Sequence, residues 1–169
     1  MVDLESKRLI LEPASITFAA VQLELMNTPK WLTNIGDRNV NTIPEAEQYI
    51  ATKMLPQYEE LGFGNYYIQL KETAQVIGCV GIYNRPELES YDFGFALLPS
   101  YEKQGYAYEA SKCLLHAAKN SLGIKTLSAI TTVSNVASQK LLKKLGFQFA
   151  KQSTVTIDKE VLMLYKLSL

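Results

Sequence analysis

A short polar segment, YEKQGYAYEA at residues 101–110, stands where an alternating apolar run gives way to a helical pattern. The run before it, 91–99, predicts a strand that ends at a proline. A helix that begins near Gln104 and Gly105 leaves its first backbone N–H groups without partners, at the positive end of its dipole. Gly105 has no side chain to keep an anion away from the backbone, and the small side chain of Ala107 leaves space beside the first helical turn. The segment therefore predicts a phosphate-binding loop, with a plain strand-to-helix connection as the alternative.

A second motif, NVASQKLLKKLGF at residues 135–147, follows a predicted strand and opens another helix, for which Asn135 is a favourable N-cap. The sequence offers few residues for metal binding or for nucleophilic catalysis. Cys79 and Cys113 fall in apolar runs, and His116 lies on a polar helical face that is expected to point to water. Two cysteines and one histidine without ligand spacing predict neither a metal site nor a Cys/His catalytic pair.

Together, the two motifs resemble those of the GCN5-related N-acetyltransferase (GNAT) family, most closely its RimJ/RimL type. The phosphate-binding loop of that family ends in Gly-x-Gly/Ala, which Gly105 and Ala107 match. Its first position is Gln or Arg in the family and Glu102 here, which puts a carboxylate near the expected phosphates. Lys103 and Gln104 are expected to supply the favourable contacts to the phosphates that Glu102 cannot make. The second motif matches at Asn135, Ser138, Leu145, Gly146 and Phe147.

The resemblance implies acetyl-coenzyme A as the acetyl donor, and no metal. The pyrophosphate is expected on the backbone amides of the loop and first helical turn, namely Lys103, Gln104, Gly105, Tyr106, Ala107 and Tyr108. The pantetheine arm is expected in a splay between the fourth and fifth strands, along the backbone of Ala96, Leu97 and Leu98. Asn135 is expected either to contact that arm near the thioester or to serve only as a helix N-cap.

Acetyl transfer to an amine needs a base, a donor to the developing oxyanion and a proton for the leaving thiolate. Asp92 is the predicted base, because many relatives carry an acid on the fourth strand, and strand alternation places it on the face opposite Phe93. The alternative is an exposed, solvated aspartate. Rival bases are Glu12, Asp37 and Glu89.

The oxyanion donor is expected to be a backbone N–H between Phe95 and Leu97. Many relatives place a tyrosine acid early in the last helix, but this sequence has Leu142 there. Ser138 is the remaining hydroxyl, as in RimJ/RimL relatives. It is predicted to protonate or hydrogen-bond the thiolate, or else only to bond its own helical turn.

The acceptor is less clearly marked. The segment WLTNIGDRNV at residues 31–40 looks like a RimJ/RimL segment that often contains Gly-Asp-Arg. Its Trp31, Asp37 and Arg38 are predicted to line the acceptor pocket. Alternatively, Trp31 caps the core and the other two form a turn.

Amine ionisation favours one acceptor class. An α-amine with a pKa near 8 is about a tenth neutral at pH 7, whereas a lysine near 10.4 is neutral in only about one molecule per few thousand. The favoured function is therefore acetylation of a protein N-terminus. A small amine, such as a polyamine, amino sugar or amino acid, is the second hypothesis. A module that binds the coenzyme without turnover is the third.

Length and charge bound the remaining classes. The chain has 169 residues and a formal net charge of zero, which predicts a single N-acetyltransferase domain over 1–169 and no nucleic-acid partner. No apolar run approaches the roughly 20 residues that span a bilayer, so no membrane association is expected. The charged start, MVDLESKRL, differs from a signal peptide and favours the cytoplasm. A homodimer is possible by similarity alone.

The order of predicted elements is β–α–α–β–β–β–α–β–α–β–β, which indicates a mixed α+β domain. A mostly antiparallel sheet of about seven strands, with the splay between strands four and five, is expected between about four helices. The predicted strands cover 7–13, 65–71, 75–84, 91–98, 125–133 and a final hairpin around 158–160. The predicted helices cover 15–27, 42–61, from about 104 to 122, and 135–145.

Overall fold

Seven strands form one sheet within residues 4–153 and 161–169, which are the residues that the computed structural model describes. They are β1 (Leu9–Pro13), β2 (Asn65–Leu70), β3 (Val76–Tyr83), β4 (Asp92–Leu97), β5 (Thr126–Thr132), β6 (Gln148–Ser153) and β7 (Leu162–Ser168). Their spatial order is β1-β2-β3-β4-β5-β7-β6, and only β4 and β5 are parallel neighbours. The predicted fold is confirmed, while the turn at 158–160 lies outside the described residues.

The helices are α1 (Ala19–Met26), α2 (Pro29–Asn34), α3 (Ile43–Tyr49), α4 (Leu55–Leu61), α5 (Tyr106–Asn120) and α6 (Val136–Lys144). The short helix α2 was not predicted, since its segment reads as turn-rich. It forms because the Thr28 hydroxyl accepts a hydrogen bond from the Trp31 N–H and Pro29 occupies the first turn.

In the second predicted helix, Thr42 and Glu45 have the spacing of a capping box, and Pro56 predicts a late break or kink. The structure has both the cap and an interruption. The Thr42 hydroxyl accepts from the Glu45 N–H, and the Glu45 carboxylate accepts from the Thr42 N–H, which is the reciprocal capping box. A π-helical turn, Ile50–Met54, then separates α3 from α4. Pro56 lies just after it, and a proline cannot donate the hydrogen bond that a straight helix would need there.

The helical spacing of Ile16, Ala19, Ala20, Leu23 and Met26 predicts one apolar face for the first helix. The prediction holds only in part. Ala19 and Met26 are buried. Ile16 is half exposed, while Leu25 and the polar Gln22 are completely buried. The segment begins as a 3₁₀ turn, Ile16–Phe18, which changes the phase of the helix that follows. Gln22 tolerates burial because its side-chain carbonyl accepts a hydrogen bond from the Tyr67 hydroxyl at 2.8 Å.

Each face of the sheet packs against its own hydrophobic core. On one face, Phe93 and Val80 pack with Leu114 of α5. On the other face, Tyr67 and Cys79 pack with residues of α1 to α3, including Trp31. Neighbouring residues of β4 therefore point to different cores, as the alternation of the strand predicts.

Candidate functional site

The strands β4 and β5 separate soon after they meet. A single residue pair, Asp92 with Ser128, joins them in register, and the Ser128 N–H donates to the Tyr91 carbonyl at 2.8 Å. By contrast, β4 pairs with β3 along its whole length. The edge of β4 that faces β5 is thus open beyond the first pair, which is the splay expected from the sequence.

Strand alternation decides which backbone groups of β4 face this opening. The Leu98 N–H donates to the Ile77 carbonyl of β3 at 2.9 Å, so the backbone groups of every second residue, including Ala96, are directed to β3. The groups of Phe95 and Leu97 point the other way, to the opening. The backbone of Ala96 and Leu98 is therefore not free to pair with a donor in the opening, contrary to expectation, whereas that of Phe95 and Leu97 faces it.

A tight loop connects β4 to α5. After a 3₁₀ turn at Pro99–Tyr101, Lys103 and Gly105 adopt left-handed backbone conformations, with φ of 60° and 83°. Gly105 is the N-cap of α5, and no side chain in the described part of the protein caps this helix. Residues 103–108 donate no backbone hydrogen bond to any of the described residues. Six consecutive amides at the positive end of a helix are therefore available to an anion.

Glu102, the departure from the family's loop, is neutralised. Its carboxylate forms an ion pair with Lys30 of α2. The Gln104 side-chain amide donates to the Ser100 carbonyl at 2.9 Å, and its contribution to the loop, like that of Lys103, stays a prediction. The carboxylate at position 102 is therefore engaged by a cation and does not stand free beside the loop amides.

A cation that was missed in the sequence lies beside the same loop. The Arg8 guanidinium donates to the Gln104 carbonyl at 3.1 Å and to the Glu109 carboxylate at 2.6 Å, and it lies 4.3 Å from the centre of the Tyr106 ring. One of its nitrogens is 3.4 Å from where a Cβ on Gly105 would be. No local pattern marks Arg8, since its partners are about a hundred residues away in sequence.

Asp92 lies at the closed end of the splay. It is 3% exposed, and one carboxylate oxygen accepts from the Arg85 guanidinium at 2.5 Å. The other oxygen, Oδ1, is buried without a hydrogen-bond partner among the described residues. Burial raises the pKa of Asp92 to about 6, and the Arg85 charge opposes that rise. The alternative of an exposed, solvated aspartate is therefore wrong, because the side chain is buried and paired.

Asn135 begins α6 as an N-cap. Its side-chain carbonyl accepts from the Ser138 N–H at 3.2 Å. Ser138 itself is half-buried. Leu142, at the position where many relatives carry a tyrosine, is 1% exposed and belongs to the main core. The N-cap role of Asn135 is confirmed, and its contact with the donor stays a prediction.

The segment predicted to bind the acceptor lies in two environments. Trp31 is buried in the core beside α1 and α3. Asp37 and Arg38 are exposed and bond to their own loop: Asp37 accepts from the Asn39 N–H at 2.7 Å, and Arg38 donates to the Ile35 carbonyl at 3.1 Å. An acceptor pocket formed by these residues stays a prediction.

The remaining titratable candidates are placed as follows. Glu89 is exposed and paired with Lys166 at 2.6 Å, and His116 is exposed on α5. Glu12 is half-buried on β1, at the edge of the sheet. Cys79 is buried, which raises the pKa of its thiol to about 12. Among residues 4–153 and 161–169, no cluster of His, Cys, Asp or Glu could hold a metal, and no helix could span a membrane.

Comparison with known proteins agrees with this architecture. A family model described as an acetyltransferase (GNAT) domain matches residues 8–148. A Bacillus subtilis protein named uncharacterized N-acetyltransferase YoaA is 25% identical over 146 residues, covering 86% of this chain and 82% of its own. The chain is also similar to the crystal structure of an acetyltransferase from Agrobacterium tumefaciens, with a TM-score of 0.83, 25% identity, and coverage of 98% and 94%.

A third similarity is to a protein whose structure contains the coenzyme. RimL, described as a ribosomal L7/L12 alpha-N-protein acetyltransferase in complex with coenzyme A, superimposes with a TM-score of 0.82 at 17% identity. The match covers 99% of this chain and 97% of RimL. At this level of identity, the similarity shows the fold that the two chains share.

Proposed function

Because the chain belongs to the GNAT family and is an N-acetyltransferase, we propose that it transfers the acetyl group of acetyl-coenzyme A directly to the α-amine of a protein N-terminus. One observation carries the proposal: the amides of residues 103–108 are unpaired among the described residues, at the end of the one strand whose neighbour splays away. An anion-binding loop beside an opening in the sheet suits an acetyl donor that has a diphosphate and a long, extended arm.

The loop suits the coenzyme pyrophosphate in shape and in charge. Gly105 has no Cβ, so the anion reaches the amides of residues 103–108. The guanidinium of Arg8, which precedes β1 and is paired with Glu109, lies beside them. Lys30 pairs with Glu102, so the charge of this carboxylate is compensated beside the pyrophosphate. The pantetheine arm would then lie along β4, where Phe95 and Leu97 present free backbone groups to the splay. In this arrangement either N–H would stabilise negative charge on the acetyl oxygen.

Asp92 is proposed to act as the base through a water molecule. Phe95 is three positions further along β4, which corresponds to about 10 Å along a strand, too far for direct proton transfer. An α-amine needs little help, because about a tenth of it is neutral at pH 7. A carboxylate with a pKa of about 6 is ionised at that pH and can take the proton that the amine releases.

The leaving thiolate is proposed to receive its proton from Ser138, at the start of α6. This helix follows β5, the second wall of the splay, and its capped first turn holds Ser138 in place through Asn135. The buried Leu142 offers no hydroxyl. Ser138 is thus the side-chain donor that the sequence and the position of α6 favour.

An acetylation screen tests the proposal. We would incubate the protein with acetyl-coenzyme A and lysine-free peptides, with the same peptides blocked at the N-terminus and given one lysine, and with polyamines, amino sugars and amino acids. Thiol release measures turnover, and mass spectrometry locates the acetyl group. We expect acetylation of the first residue of free peptides. Turnover of small amines alone would support the second hypothesis, and coenzyme binding without any turnover would support the third.

A further inference from the structure

Two glycines make room for an aromatic ring beside Asp92. The last residue of β3, Tyr83, folds back along its own strand, so that a Cβ on Gly81 would be 2.4 Å from its hydroxyl oxygen. On the neighbouring strand, a Cβ on Gly94 would be 3.3 Å from the edge of the same ring. Gly81 and Gly94 are directly opposite each other in the register. The ring therefore lies on the sheet at a place where any other residue would lift it.

Polar atoms flank this ring on two sides. The Tyr83 hydroxyl donates to the Asn65 side-chain carbonyl of β2 at 2.7 Å, and Asp92 is the cross-strand neighbour of Tyr83 on β4. Asn65 and Asp92 are 2% and 3% exposed. Each retains one buried polar atom, Nδ2 and Oδ1 respectively, without a partner among the described residues. Unpaired buried polar atoms are costly, so a pair of them beside one ring indicates a ligand that satisfies them.

The ring also lies on the side from which an acceptor can enter. Val80 and Phe93, on the opposite face of these strands, are covered by α5. On the same face as Tyr83, the second core covers Cys79, in the middle of β3, and Leu98, just after β4. Tyr83 belongs to neither core and is only half-buried. Part of the Tyr83 ring therefore remains accessible on this face, next to the buried Asp92.

We propose that the Tyr83 ring is the floor of the acceptor site and limits the acceptor to a small first residue. This inference rests on the proposed N-terminal acetylation. In a site with this floor, the α-amine lies toward Asp92 and the first peptide group lies toward Asn65, whose free N–H donates to it. The ring fills the depression over Gly81 and Gly94, so a large first side chain has no space to enter the sheet surface.

The test compares peptides that start with serine and with phenylalanine, and the matching amino-acid amides, in three forms of the full chain. Tyr83→Ala opens the depression, and we expect the kcat/KM ratio of the large over the small acceptor to rise about tenfold or more. Tyr83→Phe keeps the ring and loses only the bond to Asn65, so it retains the wild-type ratio even if turnover falls. Coenzyme affinity and thermal midpoint report whether each variant is folded.

A second variant acts in the opposite direction and does not depend on Tyr83→Ala folding. Gly94→Ala places a methyl group 3.3 Å from the ring edge, which pushes the ring toward the acceptor. The ratio of large over small acceptors should then fall below the wild-type value. If the ratio is unchanged in both Tyr83→Ala and Gly94→Ala while the coenzyme still binds, the Tyr83 ring does not limit the size of the acceptor and the proposal is refuted. If the amino-acid amides are acetylated but no peptide is, the proposed acetylation of protein N-termini is refuted. The ratio of kcat/KM between the large and the small amide then tests the role of the Tyr83 ring by itself.

Discussion

Replacing Asp92 with asparagine tests the centre of the proposed mechanism. The substitution keeps the size of the side chain and removes its ionisation, so it separates the role of the charge from the role of the shape. A positioned general base contributes about 10²- to 10⁴-fold to a rate. We expect Asp92→Asn to lower kcat/KM for the acceptor by at least about 10²-fold at pH 7.5, with little change in coenzyme affinity.

The pH dependence of the rate gives a sharper test, because its size follows from the pKa of Asp92. With a pKa of about 6, the carboxyl group is about nine-tenths ionised at pH 7 and about one-tenth ionised at pH 5. A base works when ionised, so its contribution should fall almost tenfold as the pH falls between these values. The acceptor amine also titrates, but it does so equally with both enzymes. We would therefore divide the wild-type rate by the Asp92→Asn rate at each pH.

Two further variants make the assignment specific. The Arg85 guanidinium holds the pKa of Asp92 down, so Arg85→Gln should move the inflection above pH 6. Glu89→Gln removes an exposed rival that is paired with Lys166, and should leave the inflection where it is. A ratio that stays flat between pH 5 and pH 7 would refute Asp92 as the base, whatever the size of the rate loss.

Three other predictions concern the donor. Gly105→Val should weaken coenzyme binding in calorimetry by more than tenfold, because a branched side chain would occupy the space of the anion. The control is Gly123→Val, at the other end of α5, where φ is a similar 66° and the surroundings are open. This variant should bind the coenzyme as the wild type does. Arg8→Gln should weaken binding by about tenfold, as expected for a hydrogen-bonding cation, whereas the exposed Arg38→Gln should not; equal affinities would contradict the role of Arg8. Ser138→Ala should slow turnover about 10²-fold with the coenzyme still bound, and a change below threefold would reduce Ser138 to a packing residue.

Local interactions explain why much of this protein could be predicted. The alternation of β4, the capping box at Thr42 and the glycine at 105 all act within a few residues of the chain. Such signals do not depend on what packs against them. For that reason the strands, the longer helices and the loop between β4 and α5 lie close to where the sequence predicts them.

The errors arose where distant contacts override local pattern. The 3₁₀ turn at Ile16–Phe18 rotates the first helix, and burial of Gln22 follows from its bond to Tyr67 on another strand. The N–H of Leu98 is used by Ile77, which only the register of β3 with β4 reveals. None of these partners is visible from the residues around it.

The sequence by itself determined the elements, their order and the loop whose amides suit a phosphate, because caps, turns and periodicity are short-range properties of the chain. Only the tertiary structure decided the rest of the site. It brings Arg8 to the start of α5, buries Asp92 against Arg85, and lays Tyr83 over two glycines. Charge pairing, desolvation and close packing depend on distances between residues far apart in the chain, and those distances exist only once the sheet has formed.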